Sequence, residues 1–136
     1  MGQSRKITMP LDRKPVVWVS SARKNIQAMP SLIRREFGVA LDEAQEGRKP
    51  LNAKPLRGFK GASVVEIVES FDSDAYRAVY TVRFEEAIYV LHVFQKKSRR
   101  GIETSSRDLE LIRTRLQQAE ELHLKYVQRL GEIDEL

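Results

Sequence analysis

Apolar and polar positions divide the chain into short strand-like runs and longer runs with helical spacing. Lys14–Ser20 (KPVVWVS) gathers β-branched and aromatic residues and predicts a short strand. Ser20 or Ser21 is placed to cap a helix over about 21–28. Pro30 suits the first turn of a second helix. Its apolar positions Leu32/Ile33, Phe37, Ala40/Leu41 and Ala44 recur at three- and four-residue spacing until Gly47. Residues 21–46 therefore read as a helical hairpin. The stretch 47–62, with Pro50, Pro55, Gly58 and Gly61, reads as a loop.

Three further strands are predicted at Ser63–Phe71, Tyr76–Phe84 and Ala87–Lys96. The turns between them are so short that the three form an antiparallel meander. After Gly101, one of Thr104, Ser105 and Ser106 caps a long C-terminal helix. Leu109, Ile112, Leu116, Ala119, Leu122 and Tyr126 line one side of it. The order β–α–α–β–β–β–α defines an α+β fold, a helical hairpin and a C-terminal helix packed on a small twisted antiparallel sheet. Residues 1–14 read as a flexible arm, 15–125 as the domain, and 126–136 as the helix end with an acidic tail. Trp18, Phe37 and Phe84 are expected in the core, and His123, on a charged helix, at the surface.

Composition narrows the classes. A chain of 136 residues is one domain and large enough to bury a core unaided. The absence of Cys removes disulfides, thiol catalysis and cysteine zinc sites, and two histidines leave little for a metal centre. No metal or other cofactor is expected. The apolar runs Val16–Val19 and Ala87–Leu91 are far too short to span a bilayer. The basic N-terminus has no apolar segment of the secretory kind. The expected compartment is the cytoplasm, with no membrane partner. Walker A, GxSxG, HExxH and GxGxxG patterns are absent from the sequence.

The net charge of +5 hides a segregation. Residues 47–62 carry Arg48, Lys49, Lys54, Arg57 and Lys60 without an acid, and 95–107 carry five bases against one acid. Between them, 63–94 holds six acids against Arg77 and Arg83. Two basic stretches with Phe59 and Phe94 among them suit a polyanion such as RNA. Solvated loops are the alternative reading.

Strand alternation places Arg77 and Arg83 on one face of their strand, and His92, Phe94 and Lys96 on one face of the next. Lys97 points the other way. Arg57, Phe59 and Lys60 from the loop, with Arg99 and Arg100 after the last strand, complete a set of phosphate-binding groups and a ring on which a base stacks. RNA cleavage needs neither a metal nor a covalent intermediate, because the 2′-OH attacks its own adjacent phosphate when held in line. A lysine set among other cations gives up its proton more readily. Lys96 or Lys97 is thus a candidate base and Arg77 a candidate phosphate clamp. An ion pair of Arg77 with Glu66 or Glu69 is the competing reading.

The ordered pieces LRGFKGA at 56–62, the Glu66 strand, YRAVY at 76–80 and HVFQKKS at 92–98 resemble the phage-derived, HigB-like branch of the RelE/ParE toxin superfamily. The resemblance covers about residues 15–125. It implies a RelE-like fold, ribosome-dependent mRNA cleavage, and a helix-turn-helix antitoxin (HigA-like) as partner alongside mRNA and the ribosome. Arg77 matches the strand arginine, Lys96 and Lys97 the lysine pair, and Arg57 and Lys60 the basic loop. Two departures stand out. Val68 follows Glu66-Ile67 where relatives often carry arginine, and only Tyr126 stands near the place of a terminal catalytic Tyr or His. ParE-like members inhibit DNA gyrase instead. A gyrase inhibitor and a nucleic-acid-binding phage accessory protein are therefore the alternative functions. The helical hairpin and the C-terminal helix are candidate antitoxin surfaces.

Overall fold

A computed structural model describes residues 13–59, 61, 63–96 and 104–134. In chain order the elements are β1 (Val16–Trp18), α1 (Ala22–Gln27), α2 (Ser31–Gln45), β2 (Ala53–Pro55), β3 (Val64–Phe71), β4 (Asp74–Thr81), β5 (Ile88–Lys96) and α3 (Ser106–Asp134). The fold is α+β, as the apolar pattern predicts. Five strands form one sheet in the order β1-β5-β4-β3-β2. Two details differ from the expected antiparallel sheet. β1 pairs with β5 in parallel, so the sheet is mixed. Part of the predicted loop 47–62 is the edge strand β2, antiparallel to β3. Its three residues end in Pro55, which suits an edge because proline offers no ladder donor.

The helices cover opposite faces. Ile33, Phe37 and Leu41 of the hairpin meet Ile67, Ala78, Tyr80, Ile88 and Val90 on one face. Ile112 and Ala119 of α3 meet Val64, Val79, Tyr89 and Leu91 on the other. A β-bulge makes this possible. Val79 pairs with His92 but Tyr80 with Val90, so Leu91 is the extra residue. Strict alternation would send Ile88, Val90, His92, Phe94 and Lys96 to one side. The bulge leaves Ile88 and Val90 under the hairpin and turns His92, Phe94 and Lys96 towards the α3 face.

β4 ends at Thr81, not at Phe84, so Arg83 and Phe84 leave the sheet. The β3–β4 turn is a two-residue hairpin, with Asp72 and Ser73 both in the left-handed region (φ 54° and 72°). A left-handed L-residue costs ~1–2 kcal/mol, while glycine gives up ~0.5–1 kcal/mol of backbone entropy on folding. Ser73→Gly is therefore expected to stabilise the chain by about 0.5 kcal/mol, read as a raised urea midpoint at unchanged slope. A lowered midpoint would mean that contacts of the serine side chain outweigh the relief.

Arg13 and Lys14, placed by sequence in the arm, are fastened to α2. The Lys14 backbone N–H donates to the Gln45 carbonyl at 3.0 Å, and Arg13 pairs with Asp42 and Glu46. Residues 1–12 lie outside the described residues. No helix among the described residues is long and apolar enough to cross a membrane.

Candidate functional site

The register of β3, β4 and β5 sets three rungs on the α3 face: Glu66–Val79–His92, Val68–Arg77–Phe94, and Ser70–Ala75–Lys96. Arg77 thus stands beside Phe94 and one rung from both Glu66 and Lys96. Its Nη1 meets Glu66 Oε1 at 3.0 Å, and the Arg77 side chain is 4% exposed. The other Glu66 oxygen accepts the Thr104 hydroxyl. Glu66 is the partner that the competing sequence reading proposed for Arg77.

His92 is also buried. Its Nε2 lies 2.9 Å from Asp108 Oδ1, and Arg115 Nη1 approaches its Nδ1 at 3.4 Å. Arg115 further donates to the Leu91 carbonyl and to the Ser21 hydroxyl, both at 3.0 Å. Both imidazole nitrogens of His92 are therefore engaged within the protein. The Phe94 ring stacks on it, with centroids 4.3 Å apart and planes 16° apart.

The first turn of α3 delivers Asp108. Ser105 accepts the Asp108 backbone N–H at 3.2 Å and donates its own hydroxyl to Asp108 Oδ2 at 2.7 Å. This reciprocal cap forms because Ser and Asp stand three residues apart. The same spacing in the sequence was the available signal that Asp108 sits at a helix start. Nothing in it pointed to His92 as the partner.

Burial holds the His92 imidazole below its ordinary 6.5, and Asp108 only partly offsets this. Burial pushes the Asp108 carboxyl up, but hydrogen bonds from His92 and Ser105 and the charges of His92 and Lys96 outweigh it. The net direction is down. The folded chain therefore resists a proton that unfolded His92 accepts near 6.5. The His92 contribution to stability is complete above that pH and is lost as pH falls through the lower folded value. The urea midpoint is expected to drop from about pH 7.5 to about pH 5.5. His92→Gln should shrink that drop, and an equal drop in the variant would assign it to other groups.

The remaining predicted residues are distributed differently. Arg57 is exposed, and Phe59 sits half-buried against α3 with the Arg113 guanidinium 5.3 Å from its ring centroid. Gly58, at φ 91°, lets the loop approach closely, since a Cβ there would lie 3.3 Å from Arg113 Nη2. Arg83 pairs with Glu120 on α3, away from Arg77. Lys60, Lys97, Arg99 and Arg100 lie outside the described residues.

His123 corrects an expectation. It is buried, with Nδ1 3.0 Å from the Tyr89 hydroxyl and Nε2 2.8 Å from Glu86 Oε1. Phe84 leaves the sheet to stack on it, with centroids 4.1 Å apart. The sheet-facing stripe of α3 runs Ile112, Arg115, Ala119, His123, two of its members polar, while Leu122 is 43% exposed. A stripe read from apolar residues alone misplaces both 122 and 123. The polar members are accepted because β5 supplies a carbonyl and a phenol, and the turn before it a carboxylate, to satisfy them.

An α+β domain with a mixed sheet between a helical hairpin and a long C-terminal helix, and with Arg77, Phe94 and Lys96 together on the α3 face, is of the RelE-like class. The chain belongs to the phage-derived protein Gp49-like family (DUF891), a toxin-like family of the RelE/HigB type, whose model matches residues 24–117. That span contains Glu66, Arg77, His92, Phe94, Lys96, Asp108 and Arg115. No curated protein matches the chain.

Proposed function

We propose that the chain is the toxin of a type II toxin–antitoxin system and cleaves mRNA on the ribosome. One observation carries the reading: β4 and β5 set Arg77, Phe94 and Lys96 on adjoining positions of one sheet face. A lysine beside an aromatic ring, with an arginine beneath them, matches a nucleotide, with phosphate on Lys96 and base on the ring. The family supports a toxin-like role.

In the proposed reaction the RNA 2′-OH attacks the adjacent phosphorus, the P–O5′ bond breaks, and a 2′,3′-cyclic phosphate and a 5′-hydroxyl result. The protein positions the phosphate, balances the charge of the pentacoordinate state and moves protons. Lys96, half-buried at the end of β5, meets the phosphate and takes the 2′-OH proton. Lys97 is assigned to the same task from sequence. Arg77, held by Glu66, lies beneath the phosphate, and direct contact requires release from that carboxylate. Arg57 and Lys60 belong to the flanking RNA track.

The partner in this reading is a helix-turn-helix antitoxin. Leu124, Val127, Leu130 and Ile133 leave the distal part of α3 with exposed apolar area, which supports docking there. Expression in a bacterial host with primer extension on mRNAs tests the activity. Cuts within codons are expected from the native chain. Intact mRNA with plasmid linearised by trapped gyrase would replace this reading with a gyrase inhibitor.

A further inference from the structure

The sequence placed the base-stacking ring on Phe59, but the structure favours another. The Phe59 ring faces the Arg113 guanidinium and packs on the α3-side core. Phe84 is taken up by His123. Trp18 packs on the hairpin-side core, and the tyrosines of the sheet are buried. Phe71 is exposed, but alternation along β3 turns it away from the face that carries Glu66. Phe94 is likewise half-buried and packs on the α3-side core, but of the half-buried rings it alone is the cross-strand neighbour of Arg77 and stands two residues from Lys96.

We propose that Phe94 is the platform on which one unpaired RNA base stacks, with Lys96 receiving that nucleotide's phosphate. This subsite rests on the RNA-cleavage reading and names its aromatic contact. One face of the Phe94 ring is backed by His92, nearly parallel at 4.3 Å. Asp108 and Arg115 pin that imidazole from two sides. A ring supported in this way is already oriented before RNA arrives, so little ordering remains to be done on binding. Lys96 follows Phe94 by two residues on the same face of β5, about 7 Å along the strand. A base continuing the stack over Phe94 keeps its phosphate within reach of that lysine. Every base has a π face, so the subsite accepts any base and sets position rather than identity.

The test uses the full chain and short single-stranded RNAs carrying 2-aminopurine at one position each. Stacking on Phe94 should quench the fluorophore at a single position. Phe94→Leu, which keeps apolar volume but removes the ring, should weaken binding about 5- to 150-fold and abolish that quench. The salt slope should stay unchanged, because no phosphate contact is lost. Phe94→Trp should restore both affinity and quench. A Phe94→Leu chain that binds and quenches like the native one, while the native chain still cuts mRNA in cells, overturns the subsite alone. A native chain that neither binds RNA nor cuts mRNA overturns the subsite together with the function. Should Phe94→Leu fail to fold, photocrosslinking of 4-thiouridine RNA to the native chain decides. A crosslink in the Phe94 peptide supports the subsite, and one confined to the Phe59 peptide overturns it.

Discussion

Lys96→Ala is expected to reduce mRNA cleavage by about 10²–10⁴-fold, the range for loss of a positioned proton-transfer group. The measurement is the yield of cut mRNA on ribosomes in a single turnover. Lys96 stands at the last position of β5 and is half-buried, so the variant should still fold, with its urea midpoint lowered by loss of the charge that favours the Asp108 carboxylate. Lys96→Arg divides the two tasks assigned to this residue. It keeps a cation at the phosphate but does not accept a proton near neutrality. Cleavage by Lys96→Arg close to the native rate would make Lys96 a charge only and move proton transfer elsewhere. Native-like cleavage by Lys96→Ala would remove the residue from the site.

The largest effect on stability is expected from Glu66→Ala. The Arg77–Glu66 pair has side-chain exposures of 4% and 11%, so solvent does little to replace a lost partner. Removing one member of a buried pair takes a counter-charge from the other at a cost of about 3–5 kcal/mol. The Thr104 hydroxyl loses its acceptor as well. Urea unfolding of Glu66→Ala and of a Glu66→Leu/Arg77→Met double variant measures this. The double variant should recover much of the loss, because neither buried charge remains. A double variant as unstable as the single one would show that packing, not charge, dominates. Glu66 also bears on activity, because it holds the guanidinium that the proposed reaction sets beneath the phosphate.

The local elements were legible because each depends on nearby residues. The β-branched run at 16–18 makes a strand. The apolar spacing of Ile33, Phe37 and Leu41 makes an amphipathic helix, and Ser105 with Asp108 makes a helix start. Placing His92, Phe94 and Lys96 on one face was also correct, since no bulge lies between them. The partners of these residues were hidden. Asp108 and Arg115 reach His92 from 16 and 23 positions away, and Glu86 reaches His123 from 37. No local pattern records such separations. The α3 stripe was misread for the same reason: Arg115 and His123 look like solvent-facing residues until β5 and the turn before it supply their hydrogen-bond partners.

By itself, then, the sequence determined the helices, most of the strands, the cationic segments and the resemblance to a toxin superfamily, because periodicity, caps and charge are properties of neighbouring residues. Only the tertiary structure decided which side of the sheet each residue serves. The extra residue at Leu91 shifts the alternation of β5 and carries His92, Phe94 and Lys96 to the α3 face. The parallel pairing of β1, the burial of Arg77 against Glu66 and the His92 support under Phe94 likewise arise only when distant segments meet. The physical reason is that a charged or polar side chain is buried only where other parts of the chain satisfy it.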